Sequence, residues 1–213
     1  MGLVVDTFVL GPARENCHVV RTGTDATEAV VVDPGDDAAQ LRVELAQLGA
    51  GCAGILVTHC HWDHLGAVAD LAEASGAPVY MAREEAPVLE AADEFYGALG
   101  VHIRPYVPDE LLDGGERFEL AGIEFETLPV PGHSPEHLAY LADGCLFSGD
   151  VLFAGGIGRV DLPGGSWDTL VGSIRRLMDT LPPDTVVYPG HGPQTTLGAE
   201  LARNPFLEEL RAS

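Results

Sequence analysis

The segment Thr58-His59-Cys60-His61-Trp62-Asp63-His64-Leu65-Gly66 constrains this chain more than any other stretch. Four candidate metal ligands, His59, His61, Asp63 and His64, fall within six residues of one another. Histidines at i and i+2 can both be aimed at one point by a short extended turn. Upstream, Gly54-Ile55-Leu56-Val57 reads as a short buried strand, and Ala67 to Ser75 reads as a helix. The cluster therefore falls where strand gives way to helix, the place where open α/β sheets put their sites. A polar loop with a few capping side chains is the plainer alternative. Three histidines and an aspartate beside an apolar strand nevertheless call for a shared partner, and neutral imidazole with carboxylate suits zinc, iron or manganese. Cys60 should point away from its two histidine neighbours if the segment is extended, so it is expected to pack rather than to ligate.

The chain has 213 residues, 46% of them hydrophobic, enough for one substantial core. A single domain over residues 1–213 is expected. No run of eighteen apolar residues occurs, and the N-terminus lacks a basic leader. A soluble, cytoplasmic protein is the expectation. The formal net charge is −22, and all eleven basic residues are arginine. Such a surface repels nucleic-acid phosphate and anionic lipid, so neither is expected as a partner. The absence of lysine excludes Schiff-base chemistry. Cys17, Cys52, Cys60 and Cys145 form no Cys-X-X-Cys pair and are expected to be reduced thiols.

Strands are expected at Leu3–Leu10, Cys17–Arg21 and Ala29–Asp33, the last broken by Pro34-Gly35-Asp36. Leu41, Leu45 and Leu48 mark a helix that stops at Gly49. After the central cluster come a strand at Pro78–Met81 and a helical stretch from Glu84 to Ala98, whose Glu90, Asp93 and Glu94 read as a solvated face. His102 reads as a surface or packing histidine. A hairpin is expected at Arg117–Leu120 and Ile123–Leu128, then strands at His137–Leu141 and Cys145–Ser148. The Gly-rich stretch Phe153–Gly165 matches neither a P-loop nor a dinucleotide fingerprint and reads as a loop beside the site. A helix over Thr169–Leu181 and a strand over Thr185–Tyr188 follow, and a final helical segment, Leu197–Leu210, breaks near Asn204-Pro205. This order predicts two similar β-α halves in a four-layer α/β sandwich, sheets inside and helices outside.

Three further strand ends carry candidate ligands: His133 after Pro131-Gly132, Asp150 after Ser148-Gly149, and His191 after Pro189-Gly190. Alone, Asp150 could equally be a turn former or helix cap. Together with the central cluster these make five histidines and two aspartates. That is more than one mononuclear site needs, and it fits two metal ions better.

Thr-His-X-His-X-Asp-His over 58–64, then Pro-Gly-His, Ser-Gly-Asp and Pro-Gly-His, resemble the metallo-β-lactamase-fold hydrolase superfamily. Phe147–Phe153, Gly158–Gly165, Tyr188–Pro193 and Asn204–Leu207 are similar to its glyoxalase II-like branch, in the short form without a C-terminal helical domain. The resemblance implies a metallo-β-lactamase-type sandwich holding two divalent metal ions, most simply zinc, with iron or manganese as alternatives. It implies that His59, His61 and His133 hold one ion, that Asp63, His64 and His191 hold the other, and that Asp150 bridges. Asp33 and Thr58 would support the ligand loop, although Asp33 could also be a plain turn residue before Pro34. Arg159 falls where the branch places a cation near the thiol of its substrate, with a surface salt bridge as the alternative.

The implied reaction is hydrolysis of an acyl-thiol, a thioester of a low-molecular-weight thiol such as glutathione. A hydroxide bridging the metals would attack, and Asp63 could take up a proton. Two alternatives share the fold. One is a persulfide dioxygenase with a single iron on His59, His133 and Asp150, from which the 162–165 and 189–193 stretches lean away. The other is a lactone or β-lactam hydrolase.

Overall fold

The computed structural model describes residues 2–211. The first half builds a six-stranded sheet from β1 (Val4–Leu10), β2 (Glu15–Arg21), β3 (Glu28–Val32), β4 (Gly51–Leu56), β5 (Val79–Ala82) and β6 (Glu110–Leu112), in that order. The pairs from β1 to β3 are antiparallel and those from β3 to β6 parallel. Parallel neighbours need long crossovers, and these supply the outer helices: α1 (Ala38–Gln47), α2 (Val68–Ser75), then α3 (Ala86–Glu90) and α4 (Ala92–Gly97).

The second half repeats the plan. It contains β7 (Arg117–Leu120), β8 (Ile123–Pro129), β9 (Leu138–Ala142), β10 (Cys145–Gly149), the small hairpin β11 (Leu152–Phe153) and β12 (Gly156–Ile157), and α5 (Trp167–Thr180). After these come β13 (Val186–Pro189), β14 (Thr195–Thr196), α6 (Leu197–Arg203) and α7 (Glu208–Arg211). The sheet order is β14-β13-β10-β9-β8-β7, with β10 and β13 parallel across the α5 crossover.

Three apolar layers glue this into the expected sandwich. Val20, Val30, Val32 and Leu56 of the first sheet meet Phe125, Leu138, Tyr140 and Phe147 of the second. Val31, one residue out of phase with Val30 and Val32, faces the opposite way and packs with Leu41, Leu45, Leu71 and Leu89 under the first helical layer. A strand covered on both faces reads as a continuous apolar run, which is what Ala29-Val30-Val31-Val32 is. Leu170, Ile174 and Leu177 of α5, spaced along one helical face, cover Leu146 and Val187 of the second sheet. The Ser166 hydroxyl caps α5 by accepting from the Thr169 N–H. Asn204 breaks the terminal segment by capping the short turn Pro205–Leu207.

Two expectations need correction. The helix expected over Glu84–Ala98 is two short helices, because Ala91 leaves helical geometry at φ −121°, ψ 28°. The short strands β6, β11, β12 and β14 were not expected, being too brief to show periodicity. Glu90, Asp93, Glu94 and His102 are exposed, as read. All four cysteines are free thiols, and Cys60 packs against the first helical layer. No helix among the described residues is long and apolar enough to cross a membrane.

Tyr140 ties the halves together. It is fully buried on β9, and its hydroxyl donates to the Val57 carbonyl, 2.8 Å away, just past the end of β4. Tyr140→Phe should therefore lower stability by about 1–3 kcal/mol, since it strips the donor from a buried carbonyl without opening a cavity. Denaturant unfolding of both proteins measures this.

Candidate metal centre

Four strands, β4, β8, β10 and β13, end at the same edge of the sandwich. The chain leaving them carries the 58–64 segment, His133, Asp150 and His191. Trp62–His64 forms a single tight turn ahead of α2, so Asp63 and His64 are turned inward within three residues of His61. Ligand atoms of His59, His61 and His133 lie within 4.8 Å of one another, as do those of Asp63, His64 and His191 and those of His59, His64 and Asp150. Asp150 stands between the groups. Its Oδ1 is 3.5 Å from His64 Nε2, and its Oδ2 is 3.5 Å from His133 Nε2 and 3.6 Å from His191 Nε2. His61 Nδ1 lies 2.8 Å from His133 Nε2, and Asp63 Oδ2 lies 3.2 Å from His191 Nε2. At Gly190 a Cβ would fall 2.3 Å from Asp150 Oδ1 and 2.7 Å from His64 Cε1, so only glycine lets this turn pass so close.

The outward ring nitrogens are already engaged. His64 Nδ1 donates to Asp33 Oδ2 at 3.0 Å, and His133 Nδ1 donates to the Arg159 carbonyl at 2.8 Å. The Thr58 hydroxyl donates to Asp33 Oδ2, which leaves its oxygen to accept from His59 Nδ1 at 3.0 Å. Each bond sets a tautomer whose Nε2 lone pair faces the centre. Asp33 is buried, sits at φ +49°, and also accepts the Thr58 N–H at 2.7 Å, so it anchors the start of the cluster as well as His64.

Buried polar atoms normally find partners. Here His59 Nε2, His64 Nε2 and Asp150 Oδ1 are buried with none. Three such atoms converging on one point fit a bound cation, which would take the place of the proton His64 carries without one. Burial pushes the pKa of His59 well below its usual value, takes His61 down to about 4 and lowers His133, so these three are neutral donors at pH 7. Burial opposes charge on His64 too, but Asp33 and Asp150 outweigh it and raise its pKa well above the usual range. The bond to Asp63 raises His191. Burial likewise opposes ionisation of Asp150, yet the surrounding imidazoles hold its carboxyl well below the carboxylate range. A cation binding here displaces protons from His64 and His191.

A cavity of about 420 Å³ opens on the centre, lined by His61, Asp63, His133, Asp150 and His191 and walled by Trp62, Phe153, Ile157, Arg159 and Leu162. The Arg159 side chain is 61% exposed and is paired with Asp161 through two bonds of 2.7 and 2.8 Å. Such a pair is worth little in water, so it can be exchanged for an anion entering the cavity. The backbone beside it is fixed, because at Gly158 a Cβ would sit 1.9 Å from the Asp150 carbonyl oxygen.

Sequence reasoning missed four buried polar residues around the centre. Asn16, on β2, carries the His191 loop: its N–H donates to the Gly190 carbonyl, and its amide donates to the carbonyls of Pro189 and Gly192. Glu15 beside it is fully buried with both carboxylate oxygens unpartnered, Oε1 lying 4.0 Å from His64 Nδ1, and burial pushes its pKa well above the usual range. His137 stacks on His59 with ring centroids 4.5 Å apart, and its Nε2 donates to the Ser148 carbonyl. Glu85 is buried against the 58–61 and 133–136 segments. One signal was present: Glu85 shares the apolar stripe of Leu89, Ala92 and Tyr96, where a carboxylate is out of place unless partnered.

Residues 10–191 match the family model described as the metallo-beta-lactamase superfamily. The chain is 36% identical over 199 residues to the hydroxyacylglutathione hydrolase GloC of Haemophilus influenzae, covering 91% of this chain and 93% of that one. It superposes on the crystal structure of BLEG-1 B3 metallo-beta-lactamase with a TM-score of 0.90 at 37% identity, over 96% of this chain and all of that one. It superposes on TTHA1623 in a di-iron-bound form with a TM-score of 0.83 at 44% identity, over 95% of this chain and all of that one. With its histidines and aspartates gathered where four strands end, the chain belongs to the metallo-beta-lactamase superfamily and is one of its metallo-hydrolases.

Proposed function

We propose that this metallo-hydrolase cleaves a thioester of a low-molecular-weight thiol at a centre of two divalent cations. The observation that carries the reading is the set of buried, unpartnered lone pairs at the floor of a cavity large enough for a small acyl-thiol. The 36% identity to a hydroxyacylglutathione hydrolase supports the substrate class, and the di-iron form of TTHA1623 supports a pair of ions. His59, His61 and His133 would hold one ion and Asp63, His64 and His191 the other, with Asp150 placed between. Imidazole with carboxylate accommodates zinc, iron or manganese, of which zinc is the simplest choice. Bound there, two such cations would supply an acidified water and Lewis-acid polarisation of the substrate carbonyl.

The residues do the rest. Asp63 lines the cavity, its Oδ2 beside His191 Nε2, and would receive a proton from the attacking water. Its own pKa is lowered, because the hydrogen bond from His191 and the charge of His64 outweigh burial, so it is ionised at neutral pH. Phe153, Ile157 and Leu162 give the acyl group an apolar wall that excludes water. Arg159, released from Asp161, would meet a carboxylate of the thiol portion. A thiolate leaves readily, so no strong general acid is needed opposite Asp63.

Elemental analysis of protein purified without added metal tests this reading, with assays of the same sample on S-lactoylglutathione and on glutathione persulfide. Thioester cleavage with two ions per chain and no oxygen uptake is expected. One iron with oxygen consumed on the persulfide would overturn it in favour of the dioxygenase. Removing metal with a chelator should abolish cleavage, and restoring the metal should return it. His59→Ala and Asp150→Ala should each cut turnover and lower metal content while circular dichroism stays native. Turnover should fall by more than about 100-fold, the upper end of what losing an outer hydrogen-bond partner costs a metal site. Arg159→Ala should raise KM several-fold with little change in kcat, since it removes binding and not chemistry.

A further inference from the structure

We propose that Glu85 is a positioning residue for one half of the centre: its single carboxylate sets the spacing between the two loops that carry His59, His61 and His133. The inference rests on the reading that these histidines hold an ion. Glu85 is only 3% exposed. Its Oε2 accepts the N–H of Cys60, the residue between His59 and His61, at 2.6 Å. Its Oε1 accepts the hydroxyl of Ser134, next to His133, at 2.6 Å and the N–H of Glu136 at 3.0 Å. One carboxylate thus spans loops 72 residues apart in sequence, whose ring nitrogens His61 Nδ1 and His133 Nε2 stand 2.8 Å from each other.

The same segment grips the Cys60 backbone a second time. Tyr96, on α4, donates its hydroxyl to the Cys60 carbonyl at 2.6 Å. The N–H of Cys60 is held by Glu85, the residue just before α3, and its C=O by Tyr96 of α4, so the backbone ahead of His61 is fixed on both sides. The chain breaks between these helices at Ala91, and the Glu85 and Tyr96 side chains meet the same residue from either side of that break.

A purely structural role would not select a carboxylate here. Burying an ionised group costs several kcal/mol unless donors surround it, and the stripe it shares with Leu89 and Ala92 would pack an apolar side chain at no such cost. Three donors meeting one anion, two of them at charge-assisted distances, constrain both loops at once. The other half of the centre is held by different residues: Asn16 ties down the turn of His191, and Asp33 bonds His64. Glu85 should therefore govern one ion and not both.

The test is titration of cobalt(II) into chelator-treated full-length protein, following d–d absorption and the number of ions bound. Glu85→Ala should weaken one of the two ions by about 10–100-fold, the cost of losing an outer partner of a metal site, and leave the other unchanged. Glu85→Gln keeps an oxygen for Cys60 N–H and an amide for Ser134 Oγ, and loses only the acceptor for Glu136, so it should fall between wild type and alanine. If the alanine variant fails to fold, this glutamine variant carries the test. Double variants identify the ion. Adding Glu85→Ala to His61→Ala should weaken that site no further, whereas adding it to His191→Ala should cost each site separately. Equal weakening of both ions, or a lower melting temperature with both affinities intact, would overturn the role given to Glu85. Wild-type protein that binds a single ion would instead overturn the two-ion reading on which the role rests.

Discussion

The centre is a problem of buried charge, and much of the architecture serves to contain it. Five imidazoles and two carboxylates stand within reach of one another at the edge where β4, β8, β10 and β13 end, and several are closed off from water. Such groups cost several kcal/mol each when neither paired nor solvated. The fold answers in two ways. Each outward nitrogen of His59, His64 and His133 is bonded to a fixed partner, and the inward lone pairs are left to share a cation. The partners themselves, Asp33, Thr58 and the Arg159 carbonyl, belong to three separate segments, so the geometry of the centre is also a record of how those segments pack.

That arrangement explains why the candidate ligand positions were legible in the sequence. A strand end followed by a Pro/Gly turn and one histidine or aspartate is a local pattern, and it occurs at His133, Asp150 and His191; in the 58–64 cluster the candidate ligands follow the strand end directly. The apolar runs at 29–32 and 54–57 gave the buried strands for the same reason. What escaped was non-local. Asn16 finds its acceptor 173 residues away and Glu85 its donors 25 to 51 residues away, and neither distance leaves a periodic trace. Asp33 lay between two readings, turn residue and loop support. Its bonds to Thr58 and His64 appear only once β3 and β4 are paired.

Local rules also failed where the chain departs from regular geometry for a purpose. The helical pattern of 84–98 is sound in composition, yet the chain breaks it at Ala91, and the two side chains flanking that break, Glu85 and Tyr96, meet the Cys60 backbone. The hairpin of β11 and β12 is too short to predict, but it carries Phe153 and Ile157 to the cavity wall. In both cases propensity was outvoted by a contact with the site.

The Arg159 loop has an implication for how specificity can change. Its side chain stands on the rim of the cavity, while its own carbonyl orients His133 and the neighbouring Gly158 is wedged against Asp150. A side chain on this rim can be exchanged without re-routing the backbone that orients His133. The backbone path itself is constrained, since any insertion or deletion that re-routes it would also turn an imidazole of the centre. Divergence in this lineage should therefore proceed by substitution along a loop of constant length, with the chemistry shielded from the experiments in recognition that take place a few ångströms away.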